Sequence, residues 1–307
     1  MNPSEPFVDI PALSFFLESI GSHHLDLILK PQSMLKQGAL LLYHYTDLIG
    51  ILGIVRKHDL WLTHSLYSND AEEMVHGTKV AKKVIDQALL NPTHDPIYLQ
   101  ELARLTSKPE GVYICCFCEK DNLLSQWRGY GANGSGVSLQ FAPNEFSVVS
   151  GPDNAHGLLR FWKVFYDPGT QEDIILQAIE HYSPNNPLNS GQSPGDLARK
   201  AADAVRFFVP TFKNLDFVEE DEWRLIFTPS PSILVRPQFR VSRNMLVPYY
   251  SLRELIGNQA FPLLPLRQVC IGPSVHKILN SESVKAMMAE AGYAGLPVIV
   301  SNTSYRA

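Results

Sequence analysis

The chain has 307 residues, 45% of them apolar and 19% charged, which allows a large core and excludes a disordered or collagen-like protein. The formal net charge of −5 argues against a protein that coats nucleic acid, although a local basic patch is compatible with it. No apolar run reaches the roughly 18 residues that cross a bilayer, and no basic region precedes an apolar stretch at the start. We therefore expect neither a membrane partner nor a secretory signal.

Cysteine usage points to a reducing compartment. Three of the four cysteines, Cys115, Cys116 and Cys118, crowd into one apolar run, whereas a disulfide framework needs better-dispersed partners. We therefore predict a cytoplasmic protein. Alternation along a strand places only Cys116 and Cys118 on one face, which is too few ligands for zinc, so we predict no metal site. These thiols look buried and inert, so we expect no cysteine nucleophile.

The first predicted elements alternate between strands and helices. We divide the chain into an N-terminal helical arm, residues 1–38, and a single α+β domain, residues 39–307. Residues 40–45 predict a strand, Thr46 or Asp47 can cap an amphipathic helix, and residues 60–63 predict the next strand. Asp70 and Glu73 form a capping box that opens a helix, and a second helix is expected at about 96–106. The continuous apolar run at 111–118 predicts a buried strand.

The second half of the chain is less regular. Residues 146–215 predict a helical insertion, with helices over 171–183 and 196–208. Alternation predicts a strand over 217–227. The tail predicts strands around 232–236, 267–272 and 296–300, and a helix at 281–292.

A histidine lies near the end of the first strand. Period two places Leu42, His44 and Thr46 on one face of that strand. His44 therefore lies just before a helix N-terminus, where backbone N–H groups can bind a phosphate or ribose. The alternative is a core histidine whose hydrogen bonds are satisfied inside the protein.

An acidic and a basic residue share one face of the predicted strand over 217–227. Trp223, Leu225 and Phe227 indicate the core side, so Glu222 and Arg224 point together away from it, into a cleft. An arginine two residues away lowers the pKa of a glutamate. The alternative is a solvated charge pair on an edge strand, which contributes little stability.

Aromatic residues, a basic residue and glycines meet at residues 125–131, SQWRGYG. Trp127 and Tyr130 offer flat faces for nicotinamide or a base, and Arg128 can bind phosphate through two parallel hydrogen bonds. The alternative is a structural turn with buried aromatics. The following glycines have neither the Rossmann spacing nor a Walker lysine, so we interpret them as a loop.

With these motifs the chain resembles a widespread bacterial family of uncharacterised proteins, domain of unknown function 2971. The resemblance spans about residues 40–306, and the family name implies no activity. The matching pieces are Tyr43-His44-Tyr45-Thr46, Leu60-Trp61-Leu62-Thr63, Ser68-Asn69-Asp70 with Glu73, Trp127 with Tyr130, Glu222-Trp223-Arg224, Ile271-Gly272-Pro273, and Ser301 with Tyr305-Arg306.

The order of a strand histidine, a tyrosine and a late-strand glutamate more distantly resembles the ADP-ribosyltransferase superfamily of the His-Tyr-Glu type. This resemblance implies a split, mostly antiparallel β-sheet that holds NAD as co-substrate in a cleft, with helices around it. The spacing between Tyr130 and Glu222 then requires the insertion to loop out.

The same resemblance implies roles for individual residues. His44 holds a ribose hydroxyl, Tyr130 stacks on nicotinamide, and Glu222, or alternatively Glu220, binds the nicotinamide ribose and stabilises positive charge as the glycosidic bond breaks. The implied cofactor-binding residues, of which the arginines are candidates for the pyrophosphate, are Tyr45, Thr46, Trp127, Arg128, Arg224 and Arg306.

Two functions follow as hypotheses. The first is an NAD-consuming ADP-ribosyltransferase that modifies a protein or nucleic acid, with a toxin or phage-defence role. The second is a non-catalytic module of the same fold that senses a nucleotide or nucleic acid or mediates an interaction. A weaker third option is a transferase that removes 2′-phosphate from RNA, or a nuclease. The first requires His44, Tyr130 and Glu222 to converge around one cavity.

Overall fold

The computed structural model describes residues 31, 33–34, 37–38, 40–67, 71–108, 111–146, 157–230, 233–242, 244–257 and 263–303. The predicted helical arm over 1–38 lies almost entirely outside these residues, and so does Arg306. The described strands are β1 Leu42–Thr46, β2 Trp61–His64, β3 Tyr113–Cys118, β4 Val137–Phe141, β5 Gly157–Lys163, β6 Glu222–Pro229, β7 Gln238–Ser242, β8 Met245–Ser251, β9 Leu266–Ile271 and β10 Val298–Val300. The helices are α1 Leu48–Lys57, α2 Ala71–Leu89, α3 Pro96–Leu105, α4 Leu124–Gly129, α5 Pro168–His181, α6 Pro194–Phe208, α7 Leu252–Ile256 and α8 Lys277–Glu290.

Local sequence signals explain where several helices begin. The side chain of Asp47 accepts a hydrogen bond of 2.6 Å from the backbone N–H of Gly50, so Asp47 is the cap of α1 among the two predicted candidates, Thr46 and Asp47. The buried side chains of this amphipathic helix are Ile51, Ile54 and Val55. Aspartates cap α3 and α5 in the same way, each followed by a proline in the first turn.

The strands form one mostly antiparallel sheet. Its path runs β10-β9-β4-β1-β3-β2-β8-β7, while β6 pairs with β3 and with β5 off this path. Within the described residues, β9 and β10 form the one parallel pair of strands. The predicted α+β class with a mostly antiparallel sheet is confirmed. Among the described helices, none is long and apolar enough to cross a membrane.

Two hydrophobic cores lie on opposite faces of the sheet. The first core takes side chains from most of the strands and from α1 and α8, and it includes Phe117, Trp223, Leu225 and Phe227. The second core consists mainly of α2, α3, α5 and α6 and reaches Leu158 of β5. The helical layer therefore covers the part of the sheet face that Glu222 and Arg224 share, on the side away from the first core.

The predicted strand over 217–227 is wrong in its first half. Leu215–Glu220 is a 3-10 helix, because the side chain of Asn214 caps it by accepting a bond from the backbone N–H of Asp216. Asp221 then adopts a left-handed conformation with φ of 43°, which ends the helix before β6 begins at Glu222. The alternation of side chains along a strand therefore cannot predict on which side Glu220 lies relative to Glu222.

The segment predicted as a helical insertion contains both expected helices and one strand. The helices over 171–183 and 196–208 are confirmed as α5 and α6. Strand β5 pairs with β6 along its whole length, from Gly157 opposite Pro229 to Lys163 opposite Trp223. The long separation between Tyr130 and Glu222 is thus taken up mainly by β4, β5 and the helices α5 and α6. The division of the chain into an arm over 1–38 and one domain over 39–307 stays a prediction.

Candidate functional site

The sheet branches at β3. On one edge of β3, Tyr113 and Ile114 pair with β2, and Cys118 pairs with β1. The other edge pairs with β6 over the whole strand. On the first edge, residues 115–117 lie between these two partners and pair with no described strand there. This gap is where β1 and β2 separate, and the ring of His44 lies against it.

His44 provides a hydrogen-bond partner for the backbone of β3 in this gap. Its Nδ1 lies 2.8 Å from the carbonyl oxygen of Cys116. The ring centroid of His44 is 5.5 Å from that of Phe117, and Nδ1 is 3.8 Å from the sulfur of Cys115. A carbonyl oxygen can only accept, so we assign the proton to Nδ1, which leaves Nε2 with a lone pair. Burial lowers the pKa of His44, and the positive charge of Arg240 lowers it further. A neutral His44 can therefore accept a hydrogen bond from a hydroxyl at Nε2.

A cluster of four buried charges lies on the other edge of β3. We call Lys213, Glu220, Glu222 and Arg224 the buried charge cluster. The ammonium nitrogen of Lys213 lies 2.6 Å from Glu220 and 2.9 Å from Glu222. The guanidinium of Arg224 donates to both carboxylate oxygens of Glu222, at 2.8 and 3.1 Å. Each of the four residues is at most 7% exposed.

Glu222 stays ionised within this cluster. Burial alone would raise its pKa, but the charges of Arg224 and Lys213 outweigh burial and hold the pKa at about 2. Its backbone N–H also donates to the hydroxyl of Tyr166 at 2.9 Å. The alternative of a solvated pair on an edge strand is therefore wrong, because β6 lies between β3 and β5 and both side chains are buried.

Tyr130 lies beside the buried charge cluster. It follows α4 directly and is half-buried. Burial raises its pKa, the positive charge of Lys213 lowers it in part, and the negative charges of Glu220 and Glu222 raise it. The phenol is therefore neutral at pH 7.

Cys116 is the common neighbour of the three predicted catalytic residues. Its carbonyl binds His44, its side chain forms a hydrogen bond with Glu222, and it is close enough to Tyr130 to act on the charge of the phenol. Cys116 pairs with Arg224 in the sheet register and is the exposed cysteine of the four. The three residues do not share one face of the sheet: His44 contacts Cys115 and Phe117 on the face of the first core, whereas Glu222 and Tyr130 lie by the side chain of Cys116 on the other face. The expectation that all the strand thiols are buried is wrong for Cys116.

Several residues predicted to bind the cofactor are structural instead. Trp127 is fully buried, donates to Asn122 at 3.0 Å and packs edge-on against Tyr45, so its ring cannot contact a ligand. The hydroxyl of Tyr45 donates to the carbonyl of Lys120 and accepts from the N–H of Leu123. For Trp127 this fits the alternative of a structural turn with buried aromatics.

The other residues predicted to bind the cofactor differ in how exposed they are. Arg224 is 1% exposed and also donates to the carbonyl of Pro210, so it is committed inside the protein. Arg128 is exposed and Thr46 is half-buried, and Thr46 pairs with Val137 of β4. Arg306 lies outside the described residues.

Neither of two large cavities formed by described residues is lined by His44, Tyr130 or Glu222, so neither is the single cavity that the transferase hypothesis requires. One, of about 630 Å³, lies between α1 and α8. The other, of about 400 Å³, is lined in part by Tyr166 and Trp223 and so borders the backbone of Glu222. No group of three or more potential metal ligands occurs among the described residues.

Three further residues of this region did not stand out in the sequence. Cys116 could have been recognised, because strand alternation puts it on the same face as Cys118 and away from Cys115. Lys213 lies in an irregular segment, and Arg240 lies on β7, which was not predicted; neither belongs to a local motif.

The fold and site define an α+β protein with a branched antiparallel sheet and a buried charge cluster at the branch. The model of the family described as "Protein of unknown function (DUF2971)" matches residues 126–225, which confirms the predicted resemblance over that segment. The matched segment contains Tyr130, Lys213, Glu222 and Arg224, while His44 lies outside it. No curated protein and no solved structure matches the chain. The family description assigns no activity.

Proposed function

We propose that this protein is an NAD-consuming transferase of the ADP-ribosyltransferase type. The observation that supports this proposal is the position of the ionised Glu222 and the neutral Tyr130 beside Cys116, whose carbonyl oxygen His44 contacts from the opposite face at the point where the sheet branches. In the proposed reaction, the bond between C1′ of the ribose and the nicotinamide nitrogen breaks, and its electron pair goes to nicotinamide. A nucleophile of a protein or nucleic acid then forms a bond to C1′ and loses a proton.

Each residue has a chemical property that suits this reaction. The free lone pair on Nε2 of His44 can accept a hydrogen bond from a ribose hydroxyl. The neutral ring of Tyr130 can pack against nicotinamide. The carboxylate of Glu222 is ionised at pH 7, as it must be to stabilise positive charge on the ribose.

A second candidate function is nucleotide binding without turnover. The observation that favours it is the pairing of Glu222 with Lys213 and Arg224, because two cations compensate a carboxylate that is only 4% exposed. A compensated carboxylate stabilises a new positive charge less well than a free one. In this second function the same residues bind the nucleotide and the glycosidic bond stays intact.

Nicotinamide release separates the two functions. The enzyme hypothesis predicts that the wild-type protein releases nicotinamide from NAD and transfers labelled ADP-ribose to a component of a lysate. Glu222→Gln should lower the rate about 100-fold, because it removes the charge that stabilises the transition state. The matched control is Glu219→Gln on the exposed side of the neighbouring 3-10 helix, which should leave the rate unchanged.

The binding hypothesis predicts a different result from the same protein. NAD or ADP-ribose should raise the melting temperature, while no nicotinamide appears. Absence of both turnover and a thermal shift would contradict both functions. A melting curve of each variant shows whether a lost signal reflects unfolding.

Two substitutions at His44 separate its structural and binding roles. Asparagine keeps a donor near the position of Nδ1 and lacks a group at Nε2, whereas glutamine reaches the position of Nε2. We expect His44→Asn to stay folded and to lose ribose binding. An unchanged affinity in His44→Asn would contradict the proposed contact.

We infer that the protein acts in the cytoplasm, where its four cysteines would stay as thiols. A toxin or phage-defence role and the identity of the acceptor belong to the same proposal, and the lysate experiment addresses the acceptor. The net charge of −5 makes a protein acceptor the better first choice than long nucleic acid.

A further inference from the structure

Arg240 of β7 lies near the branch of the sheet and is half-buried. One of its terminal nitrogens donates to the hydroxyl of Thr63 at 3.1 Å, and its guanidinium lies 5.7 Å from the ring centre of Trp61. Its charge lowers the pKa of His44, so the two side chains belong to one electrostatic environment. Thr63 pairs with Ile114, the residue of β3 directly before the gap, so the β7–β8 hairpin brings a cation to the edge of the gap that His44 fills.

Most of the hydrogen-bonding capacity of Arg240 is unused among the described residues. A guanidinium has five N–H donors, and one of them has a partner here. The Nε of Arg240 is buried and makes no hydrogen bond within the described part of the chain. No described carboxylate forms an ion pair with it, in contrast to Arg224, which Glu222 binds twice. A ligand cannot reach the buried Nε directly, so any ligand contact of this half-buried side chain falls to its terminal nitrogens.

The surroundings favour an anion. Lys57 lies 5.4 Å from the ring centre of Trp61, so a second cation flanks the same tryptophan. Asp59 and Glu254 are the nearby carboxylates, since both act on the pKa of Tyr249 in the direction opposite to Arg240. Glu254 already accepts a hydrogen bond of 2.7 Å from the side-chain amide of Gln238. Asp59 is already committed, because it accepts a hydrogen bond of 2.9 Å from the backbone N–H of Arg253.

We propose that Arg240, positioned by Thr63 and Trp61, binds the pyrophosphate of the nucleotide whose ribose contacts His44. A guanidinium matches phosphate through two parallel hydrogen bonds, which its unused donors allow. This inference deepens the proposed function and rests on it for the identity of the nucleotide. It replaces Arg224, whose donors are committed to Glu222 and Pro210, as the arginine that holds the pyrophosphate.

Calorimetric binding of inorganic pyrophosphate, ADP-ribose and adenosine tests this assignment. We expect Arg240→Gln to weaken binding of pyrophosphate and ADP-ribose about 10- to 100-fold and to leave adenosine unaffected. Arg240→Lys keeps the charge without the planar group, so a smaller loss is expected. The matched control is Arg236→Gln, an exposed arginine on the same segment, which should bind as the wild type does. If Arg240→Gln does not fold, Arg240→Lys gives the answer.

The outcomes separate this inference from the proposed function. Unchanged binding of ADP-ribose in the Arg240 variants overturns the inference and leaves the function standing. Arg240-dependent binding of pyrophosphate without any binding of ADP-ribose supports an anion site and overturns the proposed function. No binding of either probe to the wild-type protein overturns both.

Discussion

Removing the lysine of the buried charge cluster should destabilise the protein strongly. Lys213→Met nearly conserves the volume of the side chain but deletes the ammonium group that both Glu220 and Glu222 bind. Two buried carboxylates then share the positive charge of Arg224. Breaking a buried ion pair by removing one partner costs about 3–5 kcal/mol, so we expect the free energy of unfolding to fall by that amount.

A double-mutant cycle tests whether charge is the cause. Glu220→Gln alone leaves an excess of positive charge and should cost about 3 kcal/mol. The double variant Lys213→Met/Glu220→Gln retains the neutral pair of Glu222 and Arg224. It should therefore be more stable than the sum of the single effects predicts, by about 2 kcal/mol.

Urea unfolding followed by tryptophan fluorescence measures these values, since Trp223 is adjacent to the cluster and fully buried. The control variant Glu219→Gln has an exposed side chain and should stay within about 0.5 kcal/mol of the wild type. Additive single effects, or a Lys213→Met loss no larger than that of the control, would refute the reasoning.

Three further outcomes are expected. The carboxylate of Glu222 has a pKa of about 2 in the folded state against an ordinary value of 4.5, so its ionisation contributes about 3 kcal/mol of stability that is present above pH 4.5 and is lost as the pH falls through 2. In urea unfolding, the free energy of unfolding of Glu222→Gln should therefore fall less steeply with acid than that of the wild type. An equally steep fall would contradict this. Ellman's reagent should react with one thiol of the native protein, that of the exposed Cys116. Cys115, Cys118 and Cys270 should not react, because burial raises the pKa of their thiols. Reaction that persists in Cys116→Ser would count against this assignment. Gly136→Ala should cost about 1–3 kcal/mol in a thermal melt, because its Cβ would lie 2.2 Å from the carbonyl of Thr46, whereas Gly195→Ala has open space and should cost nothing.

Elements with strong local patterns were predictable from the sequence. The cap of α1 at Asp47 depends on residues three positions apart, and the core face of β6 follows from alternation at Trp223, Leu225 and Phe227. Those signals lie within a few residues of each other, so no tertiary information is needed to interpret them.

The site needed information that no local pattern contains. Lys213 binds Glu222 because a 3-10 helix and a left-handed Asp221 fold the chain back, and the sequence predicted an uninterrupted strand there. Arg240 lies on a hairpin whose strands were missed, since β8 contains a proline and the predicted strand was placed a few residues earlier. The nucleotide contacts expected of Trp127 and Tyr45 were lost to packing, which periodicity alone cannot distinguish from ligand binding.

The edge of β3 that pairs with β6 has a consequence for synthesis of the chain. β1 and β2 precede β3 in the sequence and are synthesised before it, but β6, which covers the other edge, begins roughly one hundred residues after β3 ends. At about 5–20 residues per second, that edge waits about 5–20 s on the ribosome before β6 emerges. An uncovered apolar strand edge readily pairs with another chain. Nascent or truncated chains that stop before Glu222 should therefore aggregate unless a chaperone shields the YICCFC strand.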